Sequence, residues 1–120
     1  MKEIFVIDKK TTLAELKDMV QKFIKERDWQ EFHTPKNLSM YISVEASELM
    51  ELFLWCDSKD SFQTYKDKQQ EVQDELADIL MVILAFANAT DIDITKAFES
   101  KFKKTAAKYP VEKYKGLSCK

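Results

Sequence analysis

Apolar side chains recur along this chain at three- and four-residue steps, a spacing that predicts helices. Leu13, Leu16, Val20, Phe23, Ile24 and Arg27 mark one face of a first helix over about Leu13 to Arg27, apolar until its last member. Thr12-Leu-Ala-Glu15 ahead of it reads as a capping box, in which threonine and glutamate each satisfy a free backbone N–H. Thr34-Pro35 opens a second helix that runs to about Trp55, with threonine at the N-cap and proline where a missing N–H costs nothing. Cys56 to Ser61 is a polar connection. Asp60 with Gln63 is expected to cap a third helix reaching about Ala89. Asp93 is expected to cap a fourth, which must end near Tyr109 because the residue before Pro110 is pushed out of helical geometry. The stretch 111–120 shows no clear pattern and reads as a tail. Four helices with short links predict an all-α, four-helix bundle.

Composition narrows the picture. A chain of 120 residues is expected to form one domain, 1–120, with a core modest enough that oligomerisation is a natural source of further burial. Gly116 is the only glycine, which excludes the glycine-rich loops that cradle phosphates with backbone N–H groups. Any phosphate recognition must use metal ions and side chains. A formal charge of −2 argues against nucleic acid or an anionic membrane as partner. The longest apolar run, Ile79 to Ala87, is about half of a bilayer span. Ile4 to Ile7 is too short for the core of a signal peptide. Cys56 and Cys119 read as free thiols in a reducing cytoplasm.

The candidate chemistry lies in carboxylates. Glu45 and Glu48 stand three residues apart, on one face of the second helix, among Leu38, Ile42, Val44, Leu49 and Leu52. The third helix carries Glu75 and Asp78 at the same spacing, inside a segment that is almost wholly apolar from Leu76 to Ala89. Glu71 and Asp74, in register with them, have Lys68, Gln69, Gln70 and Gln73 for neighbours and read as solvated. Four acids facing one another across two antiparallel helices repel unless a cation or neighbouring lysines offset them. Oxygen donors alone favour Mg²⁺ or Mn²⁺. A di-iron site needs Glu-x-x-His pairs, and zinc needs nitrogen or sulfur.

Other residues gain meaning beside such a site. Lys101, Lys104 and Lys108 recur at three- and four-residue steps and form either a solvated stripe or a hold on polyphosphate oxygens. Arg27-Asp-Trp-Gln-Glu-Phe-His33 is either a helix connection pinned by aromatics or a wall that stacks on a flat ligand. A Cys56–His33 nucleophilic dyad has nothing to orient its histidine.

Taken in order, these motifs resemble those of the MazG-like all-α nucleoside triphosphate pyrophosphohydrolases, in particular the small dCTP pyrophosphatase branch. The marks are Glu26-Arg-Asp-Trp29, Phe32-His33-x-Pro35-x-Asn37-Leu38, Glu45-x-x-Glu48-Leu49, Phe53-x-Trp55, Glu75-x-x-Asp78-Ile79-Leu80, Ile92-Asp93 and Lys108-Tyr-Pro110. The resemblance implies an all-α homodimer or homotetramer that hydrolyses a nucleoside triphosphate to monophosphate and pyrophosphate. It implies that Glu45, Glu48, Glu75 and Asp78 hold the metal. A carboxylate near such a metal is expected to orient the attacking water or take its proton, and Glu45 is the choice for that role. It further implies that Trp29, His33, Asn37 and Trp55 surround the nucleotide and that Lys101 and Lys108 favour its phosphates. Val20 and Val82 depart from the branch, whose vertebrate members carry a histidine and a tyrosine there, and Thr105 stands where many have asparagine. A dUTP pyrophosphatase of the related all-α type and a non-catalytic helical interaction module are the alternatives.

Overall fold

A computed structural model describes residues 6–117. Cys119, one of the two expected thiols, lies outside the described residues; Cys56 is free and half-buried. The described chain is helical throughout, with α1 (Leu13–Glu26), α2 (Pro35–Glu51), α3 (Ser61–Asp67), α4 (Gln69–Thr90), α5 (Ile94–Lys108) and the short α6 (Val111–Tyr114). Single 3₁₀ turns at Gln30–Phe32 and Ser58–Asp60 join them.

Three helix starts follow the sequence closely. The Thr12 hydroxyl accepts the Glu15 N–H at 3.2 Å while Glu15 Oε1 accepts the Thr12 N–H at 3.2 Å, closing the capping box. Thr34 accepts from the N–H of Asn37 at 3.2 Å ahead of Pro35, and Asp93 Oδ1 accepts from that of Lys96 at 2.9 Å. Asp60 behaves differently from expectation. It ends a 3₁₀ turn in helical geometry and makes no side-chain cap.

The expected third helix is divided. Lys68, at φ −119° and ψ 31°, separates α3 from α4. The run Lys66-Asp-Lys-Gln-Gln70 offers no apolar side chain to hold a continuous rod against the core, so the chain bends there and α4 sets its own course. The second helix also stops early, at Glu51. Leu52, Phe53 and Leu54 then donate to the carbonyls of Leu49, Met50 and Glu51 at 3.2, 3.0 and 3.3 Å, the tightened geometry common where a helix runs out of partners.

The interior lies where α1 and α2 pack on α4. Ile24, Leu38 and Ala85 are buried together, with Val20, Val82 and Phe86 against them. Leu38 meets this cluster near the start of α2 while Ala85 meets it late in α4, so the two helices run antiparallel. Asn88 Nδ2 donates to the Lys17 carbonyl at 2.9 Å, and Lys17 Nζ to that of Ile92 at 3.0 Å, tying α1 to the end of α4. α5 buries none of its residues and leaves the Phe98 and Phe102 rings stacked on each other in solvent at 5.8 Å. Within one chain the bundle therefore closes over α1, α2 and α4, and α5 stands apart.

α4 ends on Asp91, whose φ of 56° is left-handed. Its N–H donates to the Ala87 carbonyl, which Ile92 N–H also reaches at 3.0 Å. A side chain in that region costs about 1 kcal/mol, which glycine avoids. Asp91→Gly is expected to raise the urea midpoint by roughly 0.5–1 kcal/mol of stability with an unchanged m value; a lower midpoint in equilibrium unfolding contradicts the capping role.

Candidate metal centre and nucleotide groove

The antiparallel pairing that sets Leu38 beside Ala85 sets Glu45 and Glu48 beside Glu75 and Asp78 further along the same seam. One carboxylate oxygen from each lies within 4.8 Å of those from the other three. Glu45, Glu75 and Asp78 are half-buried and Glu48 is exposed. Among the described residues no ion pair reaches any of them. Lysine neutralisation, the alternative for this cluster, is thus not realised among the described residues. Glu71 and Asp74 stay in solvent as expected, Asp74 accepting from Gln70 Nε2 at 2.9 Å.

The crowding has an electrostatic consequence. Burial first, then hydrogen bonding with Glu48, then the charges of Glu48, Asp78 and Glu75 push the Glu45 carboxyl above its ordinary value of 4.5. Glu75 is raised from the same 4.5 by burial, then by Glu48 through hydrogen bonding and charge, then by Asp78 and Asp74. Glu45 Oε2 and Glu75 Oε2 are each buried without a hydrogen-bond partner. Buried oxygens that repel one another and lack donors are what a divalent cation relieves. A donor set of carboxylates alone, with no histidine or cysteine in the cluster, suits a hard ion such as Mg²⁺.

Beside the cluster runs an apolar groove of about 480 Å³. Trp29 and His33 line it, with Phe23, Leu38, Tyr41 and Val82 among its other walls. Tyr41 stands one helical turn before Glu45 and Val82 one turn after Asp78, so groove and acids share the α2–α4 seam. Tyr41 had no mark in the sequence beyond that spacing. Inside the groove's lining, His33 Nδ1 is buried and unpartnered.

The remaining expected residues are not gathered here. Asn37 donates its side-chain amide to the Phe32 carbonyl at 3.0 Å, which secures the loop ahead of α2, and it does not line the groove. Trp55 is 93% exposed and borders a separate pocket of about 270 Å³ with Cys56, Thr64 and Lys68. Cys56 Sγ donates to the Phe53 carbonyl at 3.3 Å, and among the described residues no hydrogen bond joins it to His33 as a nucleophilic dyad would require. Lys101 and Lys108 are exposed on α5, and no lysine is among the groups that shift Glu45 or Glu75.

Residues 40–120 match the MazG-like family. The chain belongs to that family. It is 34% identical to dCTP pyrophosphatase 1 of Rattus norvegicus over 118 residues, covering 97% of this chain and 69% of that protein. Against dCTP pyrophosphatase 1 of Homo sapiens it is 32% identical over 108 residues, 88% of this chain and 64% of the relative. The chain thus spans about two thirds of the length of these relatives. A crystal structure of a pyrophosphatase from Archaeoglobus fulgidus superposes with a TM-score of 0.80 at 34% identity, covering 90% of this chain and 99% of that one. The all-α architecture is therefore that of a pyrophosphatase fold. The MazG-like match includes all four acids, Trp55 and α5, whereas Trp29, His33 and Asn37 precede it and fall to the longer pairwise similarity.

Between the ordinary carboxyl value of 4.5 and the raised ones, Glu45 and Glu75 hold more protons in the folded chain than in the unfolded one. The metal-free fold therefore loses stability as pH rises through that window and regains it as pH falls. Thermal unfolding in chelator is expected to give a higher midpoint near pH 5 than at pH 7. Mg²⁺ at about a hundredfold its Kd should add roughly 2.7 kcal/mol at pH 7. A midpoint indifferent to both Mg²⁺ and pH speaks against the cluster as a cation site.

Proposed function

We propose that this chain hydrolyses deoxynucleoside triphosphates to the monophosphate and pyrophosphate with Mg²⁺, Mn²⁺ serving as substitute, and that dCTP is among its better substrates. The observation that carries the reading is the placement of four clustered carboxylates, two of them with a buried oxygen that has no hydrogen-bond partner, one helical turn from an apolar groove. A base in the groove sets the polyphosphate over the acids. Names of relatives support the reaction and the choice of dCTP.

Glu45, Glu48, Glu75 and Asp78 would hold the ion, which when bound would offset charge building on the phosphate oxygens. Glu48 is the exposed member of the four. Glu45 Oε2, buried and without a donor, takes the proton of the attacking water. The bridge between the α and β phosphates breaks and pyrophosphate leaves, with no covalent intermediate on the protein. Trp29 stacks on the base, and His33 offers the groove's buried ring nitrogen to its edge.

Assembly belongs to the same reading. Leu76 on α4 and the α5 phenyl pair are exposed, more apolar surface than one layer hides. We place α4 near the contact of a homodimer or homotetramer, where the partner's α5 brings its lysines and Trp55 reaches the nucleotide. Asn37 then contributes through the loop it secures. No helix among the described residues is long and apolar enough to cross a membrane, and the nucleotide pool of the cytoplasm is the proposed setting.

Pyrophosphate release from a nucleotide panel, with and without Mg²⁺, tests the reaction. Expected are turnover of deoxynucleoside triphosphates, inertness of monophosphates and loss of activity in chelator. Release of single orthophosphates refutes the reaction type, and a strong preference for dUTP assigns the chain to the related dUTP pyrophosphatases. Glu48→Gln or Asp78→Asn should lower kcat by at least about a hundredfold, as removing one charged donor commonly does, while the solvated control Glu71→Gln changes little. Absence of all turnover in the unsubstituted chain leaves the interaction module.

Light scattering at micromolar concentration should show an oligomer, and Trp55→Ala should raise KM more than it lowers kcat, since stacking serves ground state and transition state alike. A stable monomer with full activity removes Trp55, Lys101 and Lys108 from the nucleotide site.

A further inference from the structure

The end of α1 is shaped around one indole. Asp28 takes a left-handed conformation, φ 52°. Its N–H donates to the Lys25 carbonyl at 3.1 Å, and the N–H of Trp29 donates to the Ile24 carbonyl at 3.2 Å. These paired bonds form a Schellman motif, which folds the chain back and brings the residue after the left-handed one against the helix's last turn. Trp29 accordingly lands on Phe23, edge to face, with centroids 5.7 Å apart and planes at 75°.

Arg27 lies over this pair. Its guanidinium carbon is 3.7 Å from the Phe23 centroid and 6.0 Å from that of Trp29. Its Nη1 donates to the Phe23 carbonyl at 3.0 Å. Among the described residues its only ion pair is a long one, 3.9 Å, to its exposed neighbour Glu26. The guanidinium is thus committed to two rings and a backbone oxygen. Phe23 and Trp29 both line the groove, while Arg27 does not. The planar fork of arginine suits this use, because it stacks on a ring and donates in its own plane at once; lysine does neither.

We propose that Arg27 is a positioning residue for nucleotide recognition, clamping Trp29 against Phe23 so that the indole is fixed in the groove wall before substrate arrives. The proposal rests on the reading of the groove as the base site. A preset ring spares the ordering cost that a loose one imposes on binding. Removing the clamp should weaken ground-state and transition-state binding equally, leaving the chemistry at the acids untouched.

The test uses the full chain with Mg²⁺ and dCTP. Arg27→Ala should raise KM about two- to fivefold, the size of an exposed cation–π contact, and leave kcat within about twofold. In a Trp55→Phe background Trp29 is the only indole, and there Arg27→Ala should increase acrylamide quenching and lower anisotropy. Adding Arg27→Ala to Trp29→Ala should bring no further rise in KM. A further rise in that double variant overturns the proposal, because Arg27 then acts on substrate directly. Unchanged quenching and anisotropy on Arg27→Ala overturn it as well, since nothing was being held. If Trp29→Ala alone leaves KM unchanged while the fluorescence response persists, the base site itself is misassigned and Arg27 has no part in recognition.

Discussion

Four like charges are held within reach of one another across a half-buried helix seam, and the rest of the molecule is arranged around that repulsion. Glu45 and Glu48 on α2 face Glu75 and Asp78 on α4, and among the described residues no ion pair reaches them. Carboxylates in such a place raise one another's proton affinity and weaken the fold that holds them. The packing of Leu38 and Val82 in the cluster around Ile24 and Ala85 opposes that repulsion, keeping α2 and α4 together a turn or two away. Offsetting that stored charge is what a divalent ion would do in the function proposed for the seam.

The same seam explains how one small layer of helices provides two unlike surfaces side by side. Toward the start of α2 the facing residues are apolar and leave a groove bordered by Tyr41 and His33; further along they are acids. A nucleoside triphosphate has the same polarity along its length, with a flat base at one end and clustered charge at the other. In the proposed function the shared axis would set the distance between base and phosphates without a glycine-rich loop, in keeping with a chain whose only glycine is Gly116.

Economy of this kind leaves gaps. With a core of few fully buried side chains, α5 finds no seat in its own chain, and its phenyl rings and lysines point to solvent. A second chain is the natural means of covering them. The loop after α1 shows the opposite, a segment completed locally, where a left-handed aspartate, a ring pair and one guanidinium define each other's positions.

Local chemistry was legible in the sequence because it acts over three or four residues. The capping box at Thr12–Glu15, the Thr34-Pro35 start and the Asp93 cap depend only on neighbours, and all form. The pairs Glu45–Glu48 and Glu75–Asp78 were legible as well, since acids set in apolar stripes are hard to solvate. Tertiary structure decided the rest. Antiparallel packing of α2 on α4 brought the two pairs to within 4.8 Å and added Tyr41 to the site, through contacts between residues far apart in sequence that no local pattern encodes. The break at Lys68, the stop at Glu51, the diversion of Asn37 to the Phe32 carbonyl and the distance of Trp55 and α5 from the groove follow from which faces found partners in one small core. Periodicity tells a helix which side is apolar, and only the folded neighbours decide what that side meets.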